Sequence, residues 1–138
     1  MPAREYRPVH IFKLVGKLKK DFPEHALKPY TELKMYEDSA RLFEDGMKTL
    51  TVRYEKNAVC YPISTKLHLI GTRPGQANYR RPIGFVEIKR MMVKPFGQLD
   101  EKDAAGECAL DIRELKASLQ KIYGPIADHE LVSVFHLR

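Results

Sequence analysis

The sequence predicts a mixed α+β domain, a small β-barrel with helices at its ends. Two observations predict it. The elements read in the order helix, strand, helix, strands, short helix, helix, strand, which does not alternate as a parallel βαβ fold does. The length, 138 residues, is that of one domain, and it buries one core without disulfide or metal staples. Hydrophobic residues at 43% and charged residues at 30% are ordinary for a globular chain. No internal repeat or low-complexity run is visible, so solenoids and linkers drop out.

Each element has its own warrant. Residues 8–30 read as a basic helical arm in which Ile11, Leu14, Val15 and Leu18 form one face. Lys13, Lys17, Lys19 and Lys20 take the other positions, and Pro23 ends the helix. The segment is a core helix with a lysine fringe or an arm laid on a phosphate backbone, and the core reading is the safer of the two. Thr31–Tyr36 alternates Leu33 and Met35 with polar neighbours, the pattern of a strand. Glu37–Asp45 reads as a short helix, with Gly46 where a C-terminal glycine belongs. Lys48–Arg53 and Lys66–Gly71 are strands. Thr72–Pro82, with Pro74-Gly75, is a loop, and Ile83–Met92 is a further strand. Asp111–Tyr123 is the clearest helix. Asp111 and Glu114 form a capping-box pattern, Ile112, Leu115, Leu119 and Ile122 share a face, and Gly124-Pro125 stops it. His129–Leu137 closes the chain as an apolar strand.

Composition removes several function classes. Met1–Pro8 is followed by no apolar run, so no secretory signal is expected. No apolar stretch is long enough for a membrane span, and a cytoplasmic location is the default. Cys60 and Cys108 have no metal-binding spacing and are expected to be free thiols, at least one of them buried. His10, His25, His68, His129 and His136 are scattered. No metal and no cofactor is expected. The net charge is +6, and the charge is unevenly spread. Lys56, Lys66, Arg73, Arg80, Arg81, Lys89, Arg90 and Lys94 are opposed within their own stretch only by Glu87, whereas Asp100–Glu114 is acidic. Such segregation describes either a face for a polyanion or a solvated surface.

Two motifs carry chemistry. One is Gly46-Met47-Lys48-Thr49-Leu50-Thr51-Val52-Arg53, directly after the short helix. The other is Leu99–Glu107, LDEKDAAGE, directly before the capped helix. The first is not a P-loop, because Arg41 stands where that loop needs its first glycine. It sets a lysine, hydroxyls and an arginine close together, and a hydroxyl nucleophile needs such a base. Arg53 serves as a cationic neighbour or as a phosphate contact. One difficulty is geometric. On a regular strand, residues 48 and 51 point to opposite faces, so they converge only if Lys48 lies on the turn after Gly46 or the strand is bulged.

In this order and spacing the two motifs, with RELKASLQKIYG and LVSVFHL, resemble the ASCH (activating signal cointegrator homology) family of PUA-like domains. More narrowly, they resemble its small bacterial members that hydrolyse N(4)-acetylcytidine. The resemblance covers residues 31–138, leaving 1–30 as a basic N-terminal extension. It implies a small PUA-like mixed β-barrel with flanking helices. It also implies Lys48 as catalytic base, Thr51 as nucleophile and Glu107 as the residue that orients Lys48 or protonates the leaving amine. Backbone amides near Gly46 are a further expectation, as oxyanion donors. Arg53, Tyr54, Arg80, Arg81, Lys89 and Arg90 are the expected substrate or phosphate contacts. Tyr54 departs from the family, which tends to have an acid there. Pro62-Ile63-Ser64-Thr65 stands where many members carry a Gly-Asp turn. The expected partner is RNA or a modified nucleoside. The alternative is a non-catalytic RNA-binding module, or a ribonuclease, using the basic surface of residues 56–94 with Tyr61, Tyr79 or Phe85 for stacking.

Overall fold

The computed structural model describes residues 1–7 and 10–138. In chain order the elements are β1 (Arg4–Tyr6), α1 (Ile11–Asp21), β2 (Ala26–Tyr30), β3 (Glu32–Tyr36), α2 (Glu37–Glu44), β4 (Leu50–Arg53) and β5 (Ala58–Pro62). There follow β6 (Lys66–Thr72), β7 (Arg81–Pro95), a 3-10 turn at Phe96–Gln98, α3 (Glu101–Gly106), α4 (Ile112–Tyr123) and β8 (Leu131–Leu137). The fold is mixed α+β. Its five principal strands are the five expected from the sequence, arranged β3-β6-β7-β8-β4 in one curled sheet.

The curl has a structural cause in β7. This strand spans 15 residues and serves two neighbours in succession, β6 along its first half and β8 along its second, with a register irregularity in each pairing. Such irregularities bend and twist a sheet. The two ends of the path, β3 and β4, are not joined by a ladder. Arg53 of β4 instead donates through Nη2 to the carbonyl of Lys34 on β3, at 2.7 Å. The sheet is therefore a half-barrel whose open seam lies between β3 and β4.

Apolar side chains fill both faces of this sheet. Inside the curl, Leu33, Leu69, Val86, Met91 and Phe135 form one core. On the outer face, Leu50, Val52, Val132 and Val134 pack against Leu115 and Leu119 of α4 and Ala104 of α3. β8, buried on both faces, reads as a continuous apolar run for that reason.

The resemblance begins at Thr31, but the core does not. β1 pairs antiparallel with β7, β2 pairs parallel with β5, and Leu14 and Leu18 of α1 lie in the inner core with Tyr6 and Phe22. The expected helical arm is thus an eleven-residue core helix followed by a strand. The first positions of the expected arm, Pro8 and Val9, lie outside the described residues.

One expectation for α4 needs correction. Leu115 and Leu119 are buried as expected and Ile112 is half-buried, but Ile122 is 56% exposed. It sits at the last turn, beyond the edge of the outer core, and borders the seam. Asp111 caps the helix through Glu114 N at 2.9 Å. Cys60 is buried and Cys108 half-buried, and both are free thiols. No helix among the described residues is long and apolar enough to cross a membrane.

Candidate active site

The turn after α2 decides where Lys48 goes. Gly46 has φ +79, a left-handed conformation that a Cβ disfavours. The amides of Met47 and Lys48 both donate to the carbonyl of Leu42, at 2.9 and 3.0 Å. The chain therefore wraps over the end of α2, and β4 starts only at Leu50. Lys48 lies on this turn, which removes the difficulty that strand periodicity posed. From Leu50 onward the alternation is regular. Leu50 and Val52 enter the outer core, while Thr51 and Arg53 face the seam and line its pocket.

That pocket has a volume of about 260 Å³. β3 supplies Lys34 and Tyr36, β4 supplies Thr51 and Arg53, and α4 supplies Ile122 and Tyr123, while Lys48 and Glu107 complete the wall. Lys48 and Thr51 are only 6% and 3% exposed. Glu107 is brought in by α3. Asp100 caps that helix in a full capping box with Asp103. Asp103 is in turn held by Lys94 in a buried ion pair at 2.5 Å. α3 ends at Gly106, whose carbonyl accepts from Thr49 N at 2.9 Å. Glu107 then turns its carboxylate onto Lys48 Nζ and accepts from Val52 N at 3.1 Å. The Glu107 carboxylate, 59 residues from Lys48 in sequence, thereby ties the Lys48 turn to the β4 edge.

Arg53 is fixed by the Lys34 carbonyl and lies over the Tyr30 ring, 5.8 Å from its centroid. Tyr30 and Tyr123 flank it. Burial pushes both phenols up, and the Arg53 charge works against that rise.

The other expected contacts are elsewhere. Tyr54 points into the outer core, donates to Glu130 and meets Tyr123 edge-on. Burial, with the Glu130 carboxylate, pushes its phenol up to about 12. Arg80 is paired with Glu32, Arg81 with Glu37 and Arg90 with Glu5. Lys89 is exposed. None of these five lines the seam pocket. The basic stretch looked unopposed because its acids, Glu5, Glu32 and Glu37, precede it in the chain and meet it only across the sheet. The Gly46 amide is also spent, donating to Phe43 O at 3.0 Å.

The sequence reading did not include Lys34, Tyr36, Thr72, Ile122 or Tyr123 in the site. No local pattern distinguishes these from ordinary strand and helix residues, since it is the opening of the seam that gathers them.

No protein-family model matches the chain, and no curated protein matches it significantly. Among solved structures it is similar to ZmASCH from Zymomonas mobilis, determined as a point variant, with 18% identity and a TM-score of 0.52. That match covers 83% of this chain and 69% of the other. A second variant of ZmASCH gives 16% identity and a TM-score of 0.48 over the same shares. Protein EF3133 from Enterococcus faecalis, of the DUF984 family, gives 15% and 0.48, covering 93% and 90%. At these identities the likeness is one of fold. The first match supports the small curled α+β fold that the sequence predicted, a fold this chain shares with an ASCH protein.

Proposed function

We propose that this protein is an ASCH-type hydrolase that cleaves the amide of an acylated cytidine. One observation carries the reading: Lys48, Thr51 and Glu107 line one small pocket, with Lys48 and Thr51 buried and Glu107 bonded to Lys48. Burying an ion pair beside a hydroxyl is costly where only stability is served.

The chemistry follows from the roles. Proton transfer along the Lys48–Glu107 contact leaves an unprotonated amine, which takes the Thr51 proton as Thr51 Oγ bonds to the amide carbon. The tetrahedral intermediate collapses, the C–N bond breaks, and the nitrogen leaves as the cytosine amine with the proton from Lys48. Water then attacks the acyl-threonine ester, giving the free carboxylic acid and restoring Thr51.

The test is to incubate the protein with N(4)-acetylcytidine and measure cytidine and acetate. Wild type is expected to turn over, and Thr51→Val and Lys48→Met to lose at least about 1000-fold in kcat. Unchanged hydrolysis by Thr51→Val overturns the reading.

A second reading, polyanion binding, is favoured by one feature. Lys13, Lys17, Lys19 and Lys20 of α1 are exposed and enter no ion pair among the described residues. On that reading RNA binds with an affinity that falls steeply with salt, independently of Thr51.

A further inference from the structure

A site that cleaves an amide must hold the oxyanion that forms when the nucleophile adds. The backbone near the proposed nucleophile has few free donors for this. The Gly46 amide donates to Phe43 O, those of Met47 and Lys48 to Leu42 O, and that of Thr49 to Gly106 O. The Val52 amide donates to Glu107 Oε2. These donors serve the fold, and turning one onto substrate would break the turn or release Glu107.

Arg53 has a different standing. It lies two residues beyond Thr51, on the same face of β4, and lines the same pocket. Its Nη2 is committed to the Lys34 carbonyl and its guanidinium rests over Tyr30, so its plane is held. Its Nε is buried and has no acceptor among the described residues. A buried N–H without a partner is disfavoured, and such orphans call for an explanation. A guanidinium remains charged throughout catalysis, so it can receive developing negative charge without giving up a proton.

We infer that Arg53 is the oxyanion donor of this site, an inference that rests on the hydrolase reading. As the Thr51 Oγ–C bond forms and the Thr51 proton passes to Lys48, the carbonyl π pair moves onto oxygen and accepts from Arg53 Nε–H. On collapse the pair returns to the carbonyl, the C–N bond breaks, and Arg53 is unchanged. The Lys34 carbonyl, across the open seam on β3, thereby becomes the fixture that aims the donor.

The experiment measures kcat and KM on N(4)-acetylcytidine for wild type, Arg53→Lys and Arg53→Gln, with melting curves to check folding. In parallel, the 15N-labelled wild type is titrated with a methylphosphonamidate of the cytidine N4 amine, a stable mimic of the tetrahedral oxyanion, and the Arg53 Nε–H signal is followed by NMR. Both variants are expected to lose about 100–1000-fold in kcat with KM within about threefold, and the Nε–H signal is expected to move on binding the mimic. A loss confined to KM, or an unchanged kcat, overturns the assignment. So does an Nε–H signal that stays put while the mimic binds. A wild type without any hydrolysis sinks the hydrolase reading instead, and the NMR titration then decides alone whether Arg53 receives an oxyanion.

Discussion

Gly106 has no room for a side chain. A Cβ there would lie 2.5 Å from Leu50 Cγ and 3.1 Å from Thr49 Oγ1, and neither of those atoms is the free end of a long side chain. Glu107 follows directly, so α3 must approach β4 this closely for its carboxylate to reach Lys48. Gly106→Ala is expected to destabilise by roughly 1–3 kcal/mol, as overpacking does, and to reduce hydrolysis by displacing Glu107; urea denaturation and the cytidine assay check both. The Lys48–Glu107 pair makes a second prediction at this scale. Glu107→Leu leaves a buried ammonium without its partner, whereas Lys48→Met/Glu107→Leu removes both charges. The single variant is expected to be the less stable of the two by about 1–3 kcal/mol, and equal stabilities would show that the pair is not coupled. The residue types at these positions were legible in the sequence. Their convergence was not, because it depends on a turn whose amides fold back onto Leu42.

Helix α4 shows how far periodicity reaches at the scale of an element. It correctly set Leu115 and Leu119 on a buried face, but it extended that face to Ile122, which lies past the edge of the sheet. Leu115→Ala is therefore expected to cost roughly 2–5 kcal/mol, and Ile122→Ala less than about 0.5 kcal/mol, with its effect falling on substrate affinity because Ile122 walls the pocket. Similar losses of stability in the two variants would contradict this packing. β1, β2 and β5 were not foreseen. β1 is three residues long, β2 carries Pro29 and is largely exposed, and β5 is buried without a polar alternation. Each becomes a strand by pairing with β7, β5 or β2, which local pattern does not reveal.

The charge map of the whole molecule differs from the charge order of the chain. Hydrogen bonds from Arg90 and Arg80 hold the Glu5 and Glu32 carboxyls below their ordinary value of 4.5. Tyr79, with Arg73 and Arg81, does the same to Glu37. Burial, reinforced by Arg90, holds His136 below its ordinary 6.5. In each case the unfolded chain binds the proton more readily than the folded one, so stability rises with pH through that window. The urea midpoint is expected to be level at neutral pH, to ease downward below 6.5 as unfolded imidazole protonates, and to fall further below 4.5. His136→Gln should remove the first part and leave the second. A midpoint insensitive to acid would mean that these pairs contribute nothing. Removal of residues 1–30 is a test at the same scale. It deletes the β1 and β2 pairings and takes Tyr6, Leu14, Leu18 and Phe22 from the inner core, so the remainder is expected to show no cooperative unfolding transition.

Local chemistry was enough to define the five principal strands, the capped α4 helix and the Gly46 turn, whereas the motifs holding Lys48, Thr51 and Glu107 stood out only by their resemblance to a family. The strands, helix and turn rest on alternation, capping and backbone freedom within a few residues, all of which are written in contiguous sequence. Tertiary structure alone decided that the sheet stops short of closure, that the gap between β3 and β4 forms the pocket, and that Arg80, Arg81 and Arg90 are taken up by acids earlier in the chain. Those outcomes depend on which strand edges meet and which charges end up within a few ångströms of one another. Such distances are set by the curl of β7 across the whole domain, and no window of neighbouring residues encodes them.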